Sequence, residues 1–154
     1  MLQIVLYQPE IPPNTGSIAR QCVGMNACLH IIGPIAFDIG ENAVKRAGLD
    51  YWDRLNLTIH ANPDEFLTWL GDREPWLVTK HGALRFDKPD FRDVDIIIFG
   101  SEIKGLPQDW LERWKHRTIY IPMPGKVRNY NLSNTVSVIL AQACLSAGLF
   151  DSNK

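Results

Sequence analysis

Residues 94–100 read VDIIIFG, and this short stretch decides the fold class that the sequence predicts. It is almost wholly apolar, the pattern of a central strand whose two faces are both covered by other elements. Other β-rich stretches read LQIVLY (2–7), CLHIIG (28–33), LNLTIH (55–60), PWLVT (75–79) and RTIYIP (117–122). Because helical patterns separate these stretches, we predict an α/β fold: a single domain, residues 1–154, with a mainly parallel sheet.

The predicted helices have recognisable ends. Asn14 is the predicted N-cap of the first helix, in which Ile18, Cys22 and Met25 share one face. Asn62 and Gly71 bound a second helix, ENAVKRAG (41–48) indicates a short helix that Gly48 closes, and LPQDWLERW (106–114) indicates another. The last helix is expected from about residue 131 to 147, followed by a disordered tail at 151–154.

Composition restricts the class of protein. Apolar residues make up 45% of the 154 residues and charged residues 21%, with a formal net charge of -1, which is ordinary for a globular domain. The overall charge therefore does not by itself predict a nucleic-acid partner. We expect a soluble, cytoplasmic protein without a membrane partner, because no signal peptide or membrane-spanning run is seen. Cys22, Cys28 and Cys144 are predicted to be buried free thiols.

Several familiar sites are absent from the sequence. Gly16 stands alone where a dinucleotide-binding fingerprint would need three glycines, and no phosphate-binding P-loop motif occurs. Ser101 lacks the flanking glycines of a hydrolase nucleophile elbow. The four histidines have no metal-ligand spacing among themselves or with the cysteines. We therefore predict no metal site.

Three loops have the composition of a binding site. The first loop, VTKHG (78–82), and the second, FGSEIKGLP (99–107), each follow a predicted strand. The third loop, PMPGKVRNYNLSNTV (122–136), carries more amide and hydroxyl groups than a connector or a helix cap needs. In open α/β sheets ligands bind beyond the carboxyl ends of the strands, so the three loops are candidate walls of one site.

The N-terminal loop adds Glu10, Asn14, Ser17 and Arg20 as polar candidates. On a helix, Arg20 lies nearly opposite the apolar stripe of Ile18 and Cys22. It is either a solvated surface arginine or a group aimed at a phosphate or hydroxyl, for which the guanidinium fork is suited.

Three motifs, QIVLYQPEIPPNTGSIAR (3–20), IIIFGSEIKGLP (96–107) and IPMPGKVRNYNLSNTVSV (121–138), together resemble the SpoU branch of the SPOUT RNA methyltransferases. The resemblance covers nearly the whole chain in order. It is strongest to the small single-domain members that methylate the ribose 2'-hydroxyl of the tRNA wobble nucleotide, a cytidine or modified uridine.

The resemblance implies properties that composition and spacing do not reveal. It implies a C-terminal trefoil knot, S-adenosyl-L-methionine held by the three loops, tRNA rather than DNA as the partner, and a homodimer formed partly by the first and last helices. Candidate RNA contacts are the cations Lys45, Arg46, Lys126 and Arg128.

Carried over position by position, the resemblance assigns cofactor contacts to Val78, Gly100, Ile121, Asn129 and Leu132. It assigns Asn14, Arg20, Ser133 and Asn134 to the catalytic side. Glu102 corresponds to a motif glutamate that is either catalytic or a hydrogen-bonding anchor of the loops.

The sequence departs from the usual family pattern in several places. Lys104 replaces a frequent arginine, and the first loop reads VTKHG where LTTKG is more common. Asn129 stands where related chains usually have serine, and Tyr130 where they usually have methionine or leucine.

Three other functions remain open besides methylation of the tRNA wobble ribose. They are a 2'-O-methyltransferase of another tRNA or rRNA ribose, a knotted RNA- or cofactor-binding protein without turnover, and an unrelated small nucleotide-binding α/β domain.

Overall fold

The structure, a computed structural model, describes residues 1–40 and 50–151. The predicted helix at 41–48, with Lys45 and Arg46, and residues 152–154 of the predicted tail lie outside these ranges. One seven-stranded sheet organises the described part of the chain, in the order β3-β2-β1-β6-β4-β7-β5. Its strands are β1 (Gln3–Tyr7), β2 (Cys28–Ile32), β3 (Leu57–His60), β4 (Trp76–Val78), β5 (Leu84–Arg85), β6 (Ile96–Phe99) and β7 (Thr118–Tyr120).

Every paired strand of this sheet runs parallel to its neighbour, as the alternation of strands and helices predicts. The stretch that begins at Val94 forms β6, which lies between β1 and β4 near the middle of the sheet. Its Ile97 and Phe99 belong to one apolar cluster and Ile96 and Ile98 to another, on the opposite face. The prediction of a central strand covered on both faces is therefore confirmed. Strand β5 was not predicted, because two exposed residues carry no periodic signal.

Four α-helices are described: α1 (Pro12–Gly24), α2 (Pro63–Leu70), α3 (Gln108–Arg113) and α4 (Leu132–Ser146). Asn62 caps α2 by accepting a hydrogen bond from the backbone N–H of Glu65, as predicted. The prediction that Asn14 caps α1 is wrong, because the helix starts at Pro12 with Ile11 in the cap position. Since proline fits the first turn of a helix, Pro12 and Pro13 allow this earlier start.

Helices α1 and α4 pack together on one face of the sheet. The predicted stripe of α4, from Val136 through Ile139 and Leu140 to Ala143, is fully buried. Cys22, Cys28 and Cys144 are buried free thiols, as predicted. Burial, with a smaller contribution from Cys28, raises the pKa of Cys22 to about 12, so its reactive thiolate form is disfavoured. Among the described residues, no helix has the length and apolarity needed to span a membrane.

The opposite face contains a buried pair of histidines. The Nδ1 atom of His30 lies 3.0 Å from Nε2 of His60, and Nε2 of His30 lies 2.7 Å from Oε1 of Gln3. Both contacts are satisfied when both rings are neutral, with His60 donating to His30 and His30 donating to Gln3. Burial lowers the pKa of His30 to about 4, and the neighbouring His60 and Arg73 charges add to this.

This histidine pair predicts a loss of stability in acid. Unfolded histidine binds a proton near its ordinary pKa, whereas folded His30 stays neutral until about pH 4. The contribution of neutral His30 to the free energy of unfolding is therefore complete above about pH 6.5, and it decreases as the pH falls towards 4. For His30 alone, the free energy of unfolding should fall by on the order of 2 kcal/mol from pH 7 to pH 5. Urea unfolding at the two pH values measures it.

Two variants separate this effect from general acid titration. His30→Gln should lose the extra pH dependence, whereas His81→Gln, at an exposed histidine, should keep it. Equal pH dependence in His30→Gln and in the unmodified chain would show that the pair does not titrate as argued.

Candidate active site

A pocket of about 410 Å³ lies beyond the carboxyl ends of β6, β4 and β7, which are neighbours in the sheet. Because parallel strands end at the same edge, the loops that follow these three strands meet there. The lining residues come from all three predicted loops and from the start of α1: Ile11, Asn14, Val78, Thr79, Lys80, Phe99, Gly100, Ser101, Glu102, Ile103, Gly105, Leu106, Ile121, Met123, Asn129, Tyr130, Asn131, Leu132 and Thr135.

The second loop is folded back on itself. Ser101 and Gly105 exchange two backbone hydrogen bonds, of 3.2 and 3.0 Å, and Gly105 has a φ of 68°, which favours glycine. A Cβ atom added to Gly100 would lie 2.5 Å from the carbonyl carbon of Gly105. Glycine at 100 therefore allows the tight turn that forms this wall of the pocket.

The first loop is held against β7. The backbone N–H of Thr79 donates to Ile119 O at 3.0 Å, and that of Gly82 donates to Thr79 O at 3.2 Å. A Cβ atom on Gly82 would collide with the backbone of Ile119. Residues 78–82 thus have a fixed backbone, while the Lys80 side chain is exposed.

The third loop is fixed at both of its ends. The Asn131 side chain caps α4 by accepting hydrogen bonds from the backbone N–H groups of Ser133 (2.9 Å) and Asn134 (3.4 Å). Asn131 is therefore the N-cap of α4, at the position where the sequence predicts that this helix begins. The hydroxyl of Tyr130 donates to Pro122 O at 3.0 Å, which closes the loop across eight residues.

Asn14 connects these loops to α1. Its side-chain amide donates to Oε1 of Glu102 at 3.2 Å, and its oxygen accepts from the Asn131 amide at 3.0 Å. The Glu102 carboxylate also accepts the backbone N–H groups of Glu10 (2.8 Å) and Ile11 (3.1 Å). We call Glu102, Asn14 and Asn131 the linking triad. Its contacts show that Glu102 anchors the loops, one of the two alternatives that the sequence left open.

The structure brings together part of the predicted site. All five predicted cofactor residues, Val78, Gly100, Ile121, Asn129 and Leu132, line the pocket, and so does Asn14. Three predicted catalytic residues, Arg20, Ser133 and Asn134, do not line it. No observation tests the individual roles of these nine residues, which stay predictions.

The residues outside the pocket lie where α1 meets α4. Ser133 is buried, and its hydroxyl donates to the Ser17 hydroxyl at 2.8 Å and accepts from the Gln21 amide at 3.2 Å. Arg20 is exposed, with its guanidinium carbon 4.9 Å from the centre of the Tyr51 ring. Asn134 is exposed as well.

Sequence reasoning assigned no binding role to several pocket residues. Thr79 and Lys80 lie within the first loop, which the sequence predicted as a wall of the site without assigning a role to either side chain. Thr135 lies in the first turn of α4, where a polar residue is typical of the start of a helix and does not by itself indicate a binding site. Ile11 precedes α1 and gave no signal, because an isolated apolar residue between glutamate and proline has no periodicity.

The lining is mostly neutral. Lys80 and Glu102 are its charged members, and the other polar groups are amides, hydroxyls and backbone groups. Within residues 1–40 and 50–151, no group of three or more His, Cys, Asp or Glu side chains is arranged to hold a metal ion. A small organic molecule with hydrogen-bonding edges suits such a lining.

Comparison with known proteins identifies the class. Residues 1–141 match the model of the SpoU rRNA Methylase family, and the chain therefore belongs to this family of methyltransferases. A relative from Methylovorus glucosotrophus (strain SIP3-4), named tRNA (cytidine(34)-2'-O)-methyltransferase, is 39% identical over 145 residues, which is 93% of this chain and 94% of the relative.

Two solved structures are similar as well. One, described as structural insights into the 2-OH methylation of C/U34 on tRNA, has a TM-score of 0.88 and 38% identity, covering 96% of this chain and 97% of the other. The other is the SpoU methyltransferase AviRb from Streptomyces viridochromogenes in complex with AdoMet. Its TM-score is 0.80 at 23% identity, covering 100% of this chain and 59% of the other, and it supports the fold alone.

The linking triad predicts that Glu102→Gln destabilises the protein. The carboxylate accepts three N–H groups, whereas an amide has a single acceptor oxygen and brings an NH₂ group towards the remaining donors. We expect a loss of about 1–3 kcal/mol in the free energy of unfolding, measured by urea titration. Glu112→Gln, at an exposed glutamate of α3, is the matched control and should change little. Equal effects of the two variants would remove the anchoring role of Glu102.

Proposed function

We propose that this chain transfers the methyl group of S-adenosyl-L-methionine to the ribose 2'-hydroxyl of the tRNA wobble nucleotide, a cytidine or modified uridine. The observation that carries the proposal is the pocket in which the first, second and third loops meet, in a chain of the SpoU family. The relative and the solved structure with nearly full coverage, whose descriptions print position 34, support this choice of nucleotide.

The residues of the pocket fit this cofactor. Glycine at 100 lets the Gly105 backbone approach closely and form one wall of the pocket, and Val78, Ile121 and Leu132 provide apolar contact area. Backbone groups of the fixed loops are available to the edge of an adenine ring. The largely neutral lining also avoids a strong positive field, which would repel a sulfonium cation.

When bound, the cofactor supplies an electrophilic methyl group, and the protein's part is to position it and the acceptor hydroxyl. Asn129 and Leu132 would hold the donor from the third loop, while the linking triad keeps that loop in register with α1. Ser133 and Asn134 begin α4 and would support the acceptor side.

Arg20 is proposed to orient the acceptor. Arginine stays protonated at neutral pH, so it is unsuited to act as a general base. Its guanidinium fork would instead bind the phosphate beside the target ribose and stabilise the forming alkoxide, with the proton leaving late or to water. Packing on Tyr51, whose hydroxyl donates to Gly16 O at 2.8 Å, restricts the arginine side chain.

We further propose a homodimer and a knot. Val138 and Leu145 of α4 are 41% and 63% exposed, an apolar surface that a second copy packed on α1 and α4 would cover. Arg20 and Asn134 are exposed on these helices, so the acceptor side would be completed at that interface.

Residues 1–154 would act as one methyltransferase domain in the cytoplasm, with the third loop as the last crossing of a C-terminal trefoil knot. The hydrogen bond of 3.0 Å from the Asn131 amide to the Asn14 side-chain oxygen supports a third loop that ends close to α1.

Arg20→Lys tests the proposed reaction. The protein is incubated with labelled S-adenosyl-L-methionine and bulk tRNA, and the 2'-O-methyl group is mapped by mass spectrometry. We expect label at the wobble nucleotide and a loss of about a hundredfold in turnover for Arg20→Lys, because an ammonium cannot form the two parallel hydrogen bonds of a guanidinium. Arg113→Lys is the matched control, since Arg113 also lies over an aromatic ring, that of Trp114, and should stay within about twofold.

Each other outcome has a definite meaning. Label at another ribose would replace the wobble position with a different target. Cofactor binding without transfer to tRNA from several sources would favour a binding protein without turnover. Near-full turnover of Arg20→Lys would remove the bidentate role from Arg20 and leave the reaction in place.

The proposed tRNA surface predicts a change in salt dependence. Lys126 and Arg128 are exposed in the third loop. If each contacts a phosphate, replacing both with alanine should weaken tRNA binding and reduce the slope of log K against log salt by about two. Lys115→Ala is the control, because Lys115 precedes β7 at the sheet edge opposite the pocket. An unchanged slope in the double variant would exclude both cations from the footprint.

A further inference from the structure

The pocket lining contains a lysine whose charge the described contacts leave unused. Of the two charged lining residues, Glu102 is occupied, because its carboxylate oxygens accept hydrogen bonds from Glu10, Ile11 and Asn14. Lys80 is exposed, and among the described residues no ion pair or hydrogen bond engages its ammonium group. The pocket therefore presents one available cation to whatever enters it.

Lys80 occupies a central place in the site. It follows β4, which lies between β6 and β7, so its loop stands between the second and third loops. The backbone on either side is fixed through Thr79 and Gly82. A rigid backbone with a free side chain lets a lysine reach a ligand at a low cost in backbone ordering.

The charges of the proposed methyl donor determine which of its groups such a lysine can bind. The donor carries positive charge at its sulfonium and amino groups and negative charge at one group, the carboxylate of its amino-acid part. An ammonium beside the sulfonium would be repelled, whereas beside the carboxylate it gains a charge-assisted hydrogen bond. A lysine with an available charge, in a pocket whose other charged group is the hydrogen-bonded Glu102, would thus set the direction in which the donor lies.

A contact with RNA phosphate is the competing use of the same charge. Lys126 and Arg128, the candidate phosphate contacts, do not line the pocket, whereas Lys80 does. Its place between the two other loops favours a ligand inside the pocket over a polymer that passes its mouth.

We propose that Lys80 binds the carboxylate of the amino-acid part of the methyl donor and thereby fixes the orientation of the donor in the pocket. This inference rests on the proposed function, because it needs a sulfonium donor in this pocket. The proposed role depends on the positive charge of the Lys80 side chain. Arginine should therefore replace Lys80 better than an uncharged side chain of similar length.

Two ligands that differ in the amino-acid part test the proposal. S-adenosyl-L-homocysteine carries the carboxylate, and 5'-deoxy-5'-methylthioadenosine lacks the whole amino-acid part. Isothermal titration calorimetry with the full chain measures both dissociation constants. We expect Lys80→Met to weaken binding of the first ligand about tenfold and to leave the second within about twofold. Lys80→Arg should keep the first within about threefold.

Lys104→Met is the matched control, because Lys104 is an exposed lysine of the second loop that does not line the pocket. It should leave both dissociation constants unchanged. Equal weakening of both ligands by Lys80→Met would overturn the proposal in favour of a structural role for the side chain. No change with either ligand, together with a smaller salt slope for tRNA binding, would overturn it in favour of a phosphate contact. If the unmodified chain bound neither ligand, the proposed function itself would fail.

Discussion

The arrangement of the pocket depends on one side chain, the amide of Asn14. Its nitrogen donates to Glu102 in the second loop and its oxygen accepts from Asn131 at the start of α4, so both ends of one amide are used. Asn14 is 6% exposed, and a buried amide left without partners costs about 1–3 kcal/mol. Glu102 also binds the backbone just before α1, and Ser133 binds Ser17, but among the described contacts the Asn14 amide is the group that touches both loops. The linking triad therefore converts two separate loops into walls at a fixed distance.

The same interaction explains why the predicted N-cap role of Asn14 is wrong. An asparagine near the start of a helical pattern is typical of a cap, and the sequence around residue 14 reads in this way. In the structure α1 has already begun at Pro12, and the Asn14 side chain is used for tertiary contacts. A local pattern cannot separate these roles, because the competing partners are 88 and 117 residues away along the chain.

Other features follow from local pattern alone. The alternate residues of β6 reach opposite faces, so an unbroken apolar run correctly predicted a strand covered on both sides. The three loops were also correctly expected at one edge, since parallel strands share their carboxyl ends. The order β6-β4-β7 is what makes those loops neighbours, and it is fixed by pairing between distant segments. The predictions of a knot, a cofactor and an acceptor rest on the family resemblance and not on the local pattern.

The polar content of the third loop follows from the number of partners it must satisfy. The side-chain oxygen of Asn131 accepts hydrogen bonds from two backbone N–H groups of α4, and its side-chain nitrogen donates to the Asn14 oxygen. These contacts use the acceptor of the Asn131 amide and one of its donors. Ser133 joins α4 to Ser17 and Gln21 of α1, and Tyr130 closes the loop on Pro122. Asn129 lines the pocket without such a structural hydrogen bond in the described contacts. Its amide is therefore a polar group of the pocket lining that is available to a ligand, at the position where the chain departs from the usual serine.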